Sequence, residues 1–320
     1  MRIGLYFDFR NPEPWRRPWQ DHYARTLEWI DEAERLGIDS IWVTEHHFFD
    51  DGYLPQPLTM AAAIAARTHR VRIGTAVVLA PLRPAVQIAE EAAIVDLISG
   101  GRLVLGLGAG YVKPEFEAYG ADLAQRFDTT DARIVEVRRL LDEGGVTPPP
   151  VQRPFPIWAG YLGPIGARRA GRLGVGLLSP NPKLLEPYQQ GLKEGGHDPG
   201  LARMGGVLSL MAADDPEQAF ERVLPHLAHQ LNSYRRANAT TSGKQPRDLT
   251  PDDLRGGAGS GPLRPLQVLT AAGVAQQIRE LTVGLPVEEV YLWASIAGMP
   301  DDLVQRNIEL VSTEVRAALA

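Results

Sequence analysis

Glu45, His46 and His47 follow the apolar run Ile41-Trp42-Val43 and precede Phe48, so a carboxylate and two adjacent imidazoles stand at the end of a buried strand. Such a group suits proton transfer, because His is the side chain that titrates near neutrality, or metal ligation. Adjacent side chains in an extended segment point to opposite faces, so the two imidazoles are expected to take different roles. A metal site needs ligands converging from other strand ends. The fifth, sixth and eighth end in Ala159-Gly160, Ser179-Pro180 and Ala294-Ser295, and His22, His69, His197, His226 and His229 fall on expected helices or loops. A metal-dependent hydrolase is therefore set aside, and no metal is expected.

Three further strand ends carry unusual composition. Gly74 to Pro81 is small and apolar and suits a wall for a planar ring. Gly106-Leu107-Gly108-Ala109-Gly110 begins inside a strand and does not open a helix, so it lacks the context of a dinucleotide fingerprint. Its glycines are expected to let a flat ligand approach the backbone, or to relieve a crowded interior. Gly160-Tyr161-Leu162-Gly163-Pro164-Ile165 turns from a strand into a helix, and free N–H groups at such a start can hold a phosphate. Arg168, Arg169 and Arg172 read as solvated helix residues.

Eight apolar segments alternate with amphipathic helices and must position these ends: Ile3 to Phe7, Ser40 to Thr44, Val71 to Val78, Leu103 to Leu107, Ile157 to Ala159, Val175 to Leu178, Val207 to Met211 and Glu289 to Trp293. Continuous apolar strands alternating with helices mark a parallel sheet covered on both faces, and eight units imply a closed (β/α)8 TIM barrel with chemistry at the C-terminal ends of its strands. An open doubly wound sheet is the alternative. Gly37, Gly101 and Gly174 are the expected helix stops. Two segments exceed ordinary loops. Tyr111 to Phe127 carries Lys113, Glu115 and Tyr119, and Ala237 to Pro265, between the seventh and eighth strands, reads as a loop insertion and possible lid.

One barrel domain accounts for all 320 residues with 44% hydrophobic content. A net charge of -6 without a long basic block excludes the electrostatic footprint of a nucleic-acid binder. The absence of Cys removes disulfides and thiol chemistry. The start, Met1-Arg2-Ile3-Gly4-Leu5, lacks the pattern of a signal peptide, and no apolar run reaches membrane length. A cytoplasmic protein with no membrane partner is expected.

Trp42 to Phe48, Gly74 to Pro81, and Ser99-Gly100-Gly101-Arg102 leading into Gly106 to Tyr111 together resemble the bacterial luciferase-like flavin-dependent monooxygenase family, over nearly the whole chain. The resemblance implies a barrel that binds reduced FMN, commonly as a homodimer, with a separate NAD(P)H-dependent flavin reductase as the second component. It implies that O2 forms a C4a-peroxyflavin that oxygenates a small molecule by hydroxylation, epoxidation or Baeyer-Villiger chemistry. His46 is then the general base or peroxide partner, with Glu45 and His47 supporting it. Ala76-Val77 aligns with a family non-proline cis peptide against the ring, Gly160 to Ile165 with the phosphate turn, and Tyr6, Gly108 and Ala109 with ring-side positions. Phe7, Phe9, Phe48, Phe49, Tyr53 and Tyr111 are expected around the mouth, favouring an apolar or aromatic substrate. Some luciferases carry a Cys where this chain has Gly108, so light emission is not expected. Two alternatives remain: a deazaflavin coenzyme serving hydride transfer, although some such enzymes carry an acid where this chain has Tyr111, and a flavin-binding protein without turnover.

Overall fold

The computed structural model describes residues 1–243, 246–256 and 266–319. Its barrel strands are, in chain order, Arg2–Phe7, Ser40–Val43, Arg72–Thr75 continued by Val78–Leu79, Leu103–Gly108, Ile157–Ala159, Gly176–Leu177, Met204–Leu208 and Val287–Trp293. Every pairing is parallel. The first strand pairs with the second and eighth, and the third closes onto the fourth through Ile73 opposite Leu103. The fold is thus the expected (β/α)8 barrel.

Packing inside the barrel explains several glycines. The Trp42 indole stacks on Tyr291 with ring centroids 4.5 Å apart, and its Nε1 donates to Glu289 Oε1 at 2.8 Å. A Cβ on Gly74 would lie 2.3 Å from that indole, so a residue with a side chain cannot stand there without displacing it. A large ring facing a glycine is how layers of a small barrel interior fit together.

Helix ends follow local chemistry. Gly37 and Gly174 take left-handed conformations and cap the helices Trp19–Leu36 and Gly163–Leu173, as expected. At the third site the cap is Gly100, one residue before the expected Gly101, and both have positive φ. Val304, Ile308, Val311 and Val315 are all buried against the barrel, matching their helical spacing.

Two boundaries differ from expectation. The seventh strand begins at Met204 because Gly205 and Gly206, poor strand formers by composition, sit where a Cβ would strike Glu289 O at 2.7 Å and Pro180 Cδ at 3.0 Å. The apolar Leu210–Ala212 leaves the barrel and pairs with Gln267–Leu269. The insertion is also not a loop from its start. Ala237 to Ser242 end the 27-residue helix Pro216–Ser242, and Pro251–Arg255 forms a short helix with a Thr250/Asp253 capping box. Its glycine-rich part, Gly257 to Pro265, lies outside the described residues.

Among the described residues no helix is long and apolar enough to cross a membrane.

Candidate active site

The two imidazoles separate as extended geometry requires. His46 Nδ1 donates to Glu115 Oε1 at 2.9 Å, and the His47 backbone N–H donates to the same oxygen at 2.8 Å. Because an ionised carboxylate only accepts, this contact places the proton of neutral His46 on Nδ1 and leaves Nε2 as the acceptor. Among the described residues Nε2 has no hydrogen-bond partner. His47 turns the other way. Its Nε2 donates to Glu45 Oε1 at 2.8 Å, and its Nδ1 receives the Tyr119 hydroxyl at 3.3 Å.

Glu45 therefore supports His47 and not His46. Its carboxylate also accepts from Arg83 Nη1 at 2.6 Å and from the Leu79 N–H at 2.8 Å, all within the buried interior. A buried carboxylate with three donors is fully compensated and locks the loop between the second and third strands. Glu115 is different. It stands in the first turn of the helix Lys113–Tyr119, is wholly buried, and leaves Oε2 without a partner among the described residues. Among these residues no group of three or more His, Asp or Glu side chains is arranged to hold a metal ion.

The third strand is interrupted at the expected place, where the Ala76-Val77 peptide is cis. The Tyr6 hydroxyl donates to Ala76 O at 2.5 Å, tying this bond to the first strand. Burial, the largest cause, holds the Tyr6 phenol well above its ordinary pKa, so it serves as a neutral donor. Gly108 follows the second of its two expected readings, relief of a crowded interior, and Gly160 shares that packing. A Cβ on either would lie 2.3 or 2.4 Å from a Val77 methyl, so the two glycines seat Val77 between them. Ala109 beside them is buried.

At the expected phosphate turn, Leu162 and Ile165 are exposed at 66% and 78%, Gly163 has φ 73°, and no side chain caps the helix Gly163–Leu173. Pro164 sits in its first turn, so the free donors are backbone N–H groups. Tyr161 does not face this opening. It is buried, and its hydroxyl donates to Asp131 Oδ1 at 2.5 Å. Arg169 pairs with Asp128 and Asp131, and Arg168 pairs with Glu194, so both guanidinium groups are already engaged.

The expected aromatic mouth is partly rearranged. Phe49, Tyr53 and Tyr111 surround His46 with ring centroids at 4.9, 4.8 and 5.4 Å. Phe48 is 66% exposed at the rim beside His47. Phe7 and Phe9 lie away from the mouth, where they were expected. Phe7 follows the inward-facing Tyr6 on the strand, so alternation turns it outward into the buried layer beneath the helices. Phe9, with φ 59°, directs its ring onto Tyr23 of the first helix.

The principal surprise is the helix Pro216–Ser242, which lies along the rim. His226 Nδ1 donates to Ala297 O at 3.1 Å, His229 Nε2 meets Asp51 Oδ2 at 2.8 Å, and Thr241 donates to Tyr111 O at 2.7 Å. The helix adds Tyr234, whose ring lies 6.1 Å from His46. Beneath it, buried Arg10 pairs with Asp51 at 2.7 Å, donates to Ser233, and lies over the faces of Tyr53 and Tyr234. Burial raises Asp8 to about 6 against the opposing effect of Arg10. Burial alone would raise Asp51 too, but His229 and Arg10 hold it below the ordinary carboxylate range. Polar residues just beyond the first and second strands were the available signal for Asp8, Arg10 and Asp51. Nothing local pointed to Tyr234.

Fold and site together define a parallel (β/α)8 barrel whose reactive groups gather at the C-terminal ends of its strands. The chain belongs to the luciferase-like monooxygenase family, whose model matches residues 1–285. It is similar to an F420-dependent glucose-6-phosphate dehydrogenase of Amycolatopsis mediterranei, 33% identical over 184 residues, 51% of this chain and 55% of that protein. It is also similar to the oxygenase component of a flavin-dependent trigonelline monooxygenase of Acinetobacter baylyi, 38% identical over 95 residues, 30% of this chain and 26% of that protein. Both matches thus span less than two thirds of the relative's length. The structure superimposes on monooxygenase RslO1 of Streptomyces bottropensis with a TM-score of 0.79, 25% identity and full coverage of both chains.

Proposed function

We propose that the protein is a monooxygenase that uses reduced FMN and O2 to oxygenate an apolar or aromatic small molecule. One observation carries this reading: a His46 imidazole fixed by a buried carboxylate presents Nε2 to an aromatic mouth. The flavin fits the residues present. Uncapped N–H groups at the start of the helix Gly163–Leu173 would hold its phosphate, and Ala76-Val77, secured by Tyr6 and the seated Val77 side chain, would back its ring. When bound and reduced, FMN supplies the electrons for O2 activation.

The chain's own part is positioning and proton control. Glu115 holds the Nδ1 proton of His46, so Nε2 is poised to accept a proton, or to return one, within hydrogen-bond reach of a reacting group. Phe49, Tyr53 and Tyr111 orient a flat substrate. The helix Pro216–Ser242 covers the rim and restricts water.

The similarity to an oxygenase component supports a two-component system in which a separate NAD(P)H-dependent reductase delivers the flavin. A homodimer is supported by the helix Ala85–Ser99. Ile88, Ala89 and Ala92 are buried while Val86, Ile94, Leu97 and Ile98 stay exposed beside Gln87 and Glu90, and four large apolar side chains on the outer face favour cover by a second copy. The second reading is deazaflavin-dependent hydride transfer, favoured by the A. mediterranei relative. Tyr111, which offers His46 an aromatic edge and no acid, counts only against those deazaflavin enzymes that carry an acid at this position. Incubation with a flavin reductase, NADH, aromatic ketones and 18O2 tests the proposal. One labelled oxygen atom in the product is expected, and substrate turnover without label would reject it.

A further inference from the structure

The end of the barrel remote from the mouth carries cations that its own carboxylates do not neutralise. Gly74 faces the barrel interior, where a Cβ would strike the Trp42 indole, so alternation turns Arg72, two residues earlier on the third strand, into the same interior at its N-terminal end. Arg203, immediately before the seventh strand, lies over Trp158 with its guanidinium carbon 5.5 Å from the ring centroid, and that indole fills the interior space left by Gly176. Arg2 joins them from the first strand. Its Nε and Nη2 each lie 3.1 Å from a carboxylate oxygen, of Glu289 and Glu288 respectively, and the second oxygen of Glu289 is taken by Trp42 Nε1 at 2.8 Å. Both acids are thus spent on Arg2. Asp39, just before the second strand, is engaged by the Ile3 N–H and by Arg316, each at 2.9 Å. Among the described residues the Arg72 and Arg203 side chains form no ion pair and no hydrogen bond, and Arg72 Nε is buried without a partner. Burial first, then repulsion from Arg2, lowers the Arg72 pKa; Arg203 adds to this, and Glu289 and Glu288 oppose it.

We infer that Arg72 and Arg203 form a binding site for a small oxyanion, with inorganic phosphate as its simplest ligand, at the N-terminal end of the barrel. Three guanidinium groups face two carboxylates there, so one positive charge is left for a ligand to neutralise. A partly desolvated cation without a counter-charge is costly, which favours an anion over water at this position. Both arginines are half-buried, so an anion can enter from solvent. The planar guanidinium presents paired N–H groups that match two oxygens of one oxyanion, a geometry that chloride cannot use. Trp42 and Trp158 fill the barrel above the arginines, so the space suits a compact anion. The helix start at Gly163 follows the C-terminal end of the fifth strand and lies at the other end of the barrel, so the two anion sites are independent.

Isothermal titration calorimetry of the whole protein with sodium phosphate, at an ionic strength held constant with chloride, tests this in the wild type, Arg72→Gln and Arg203→Gln, alongside an FMN titration of each. The wild type is expected to bind phosphate saturably. Each variant should bind it at least about 10-fold more weakly, as the loss of one charge-assisted hydrogen bond allows, with FMN affinity unchanged. Phosphate affinity retained in either folded variant overturns the assignment, and its displacement by FMN would then move the anion to the helix Gly163–Leu173. The absence of saturable phosphate binding by the wild type overturns it as well. If Arg72→Gln fails to fold, Arg203→Gln, which lies just outside its strand, decides.

Discussion

Glu115→Ala should change the tautomer of His46, and the size of the effect follows from the geometry. The carboxylate is wholly buried and accepts from His46 Nδ1 at 2.9 Å and from the His47 N–H at 2.8 Å. A hydrogen bond to a charged group contributes about 1.5–3 kcal/mol, so the Nδ1–H tautomer is favoured by about 10- to 150-fold through this contact. Removing it frees the proton to move to Nε2, the atom that faces the mouth. The expected result is a 10- to 100-fold fall in oxygenation kcat, on the order of the contribution of a positioned proton-transfer group, with FMN affinity within about threefold of wild type. Glu115→Gln keeps an oxygen acceptor and should fall between. 15N spectra of histidine-labelled protein, with His46 assigned through His46→Asn, report the tautomer directly. Wild-type His46 protonated at Nε2, or unchanged kcat in Glu115→Ala, would refute the reasoning.

Three other outcomes are expected. Burial raises Asp8 from 3.8 to about 6 in the folded protein, so folding binds its proton more tightly. Stability should then rise as pH falls through about 6 and the deficit should be complete above it, with an upper bound near 3 kcal/mol. Urea unfolding at pH 4 and pH 7.5 checks this, because Asp8→Asn should remove that pH dependence, and parallel profiles for variant and wild type would contradict it. Gly108→Ala places a Cβ 2.3 Å from Val77 Cγ2. Overpacking of this kind costs about 1–3 kcal/mol, and Gly108→Ala/Val77→Ala should recover most of the melting temperature and FMN affinity; no recovery would mean that Val77 is not the obstacle. Ile98→Glu on the exposed side of the helix Ala85–Ser99 should shift the protein from dimer to monomer in light scattering, whereas a wild-type monomer would dismiss that interface.

Local pattern carried the fold. Strands such as Ser40–Val43 and Ile157–Ala159 are short, apolar and bounded by polar or glycine residues, so their positions are visible without tertiary information. The start of the seventh strand was hidden because Gly205 and Gly206 are there for barrel packing, which strand propensity does not register. At the site, residues on strand ends were legible, since a parallel barrel directs them to one face. Their partners were not. Glu115 reaches His46 across 69 positions and Tyr234 reaches Tyr53 across 181, and neither spacing has a periodic signature. Glycines were ambiguous for the same reason: Gly108 and Gly160 leave room for a side chain, and only the path of the third strand reveals that it belongs to Val77.

In the proposed function this mouth would hold reduced FMN between the Ala76-Val77 wall and the start of the helix Gly163–Leu173. Parallel anaerobic titrations of the protein with reduced FMN and with a reduced deazaflavin coenzyme test it most directly. Saturable binding of about one reduced FMN per chain is expected, with no saturation by the deazaflavin. Saturation by the deazaflavin with no detectable binding of FMN would contradict it.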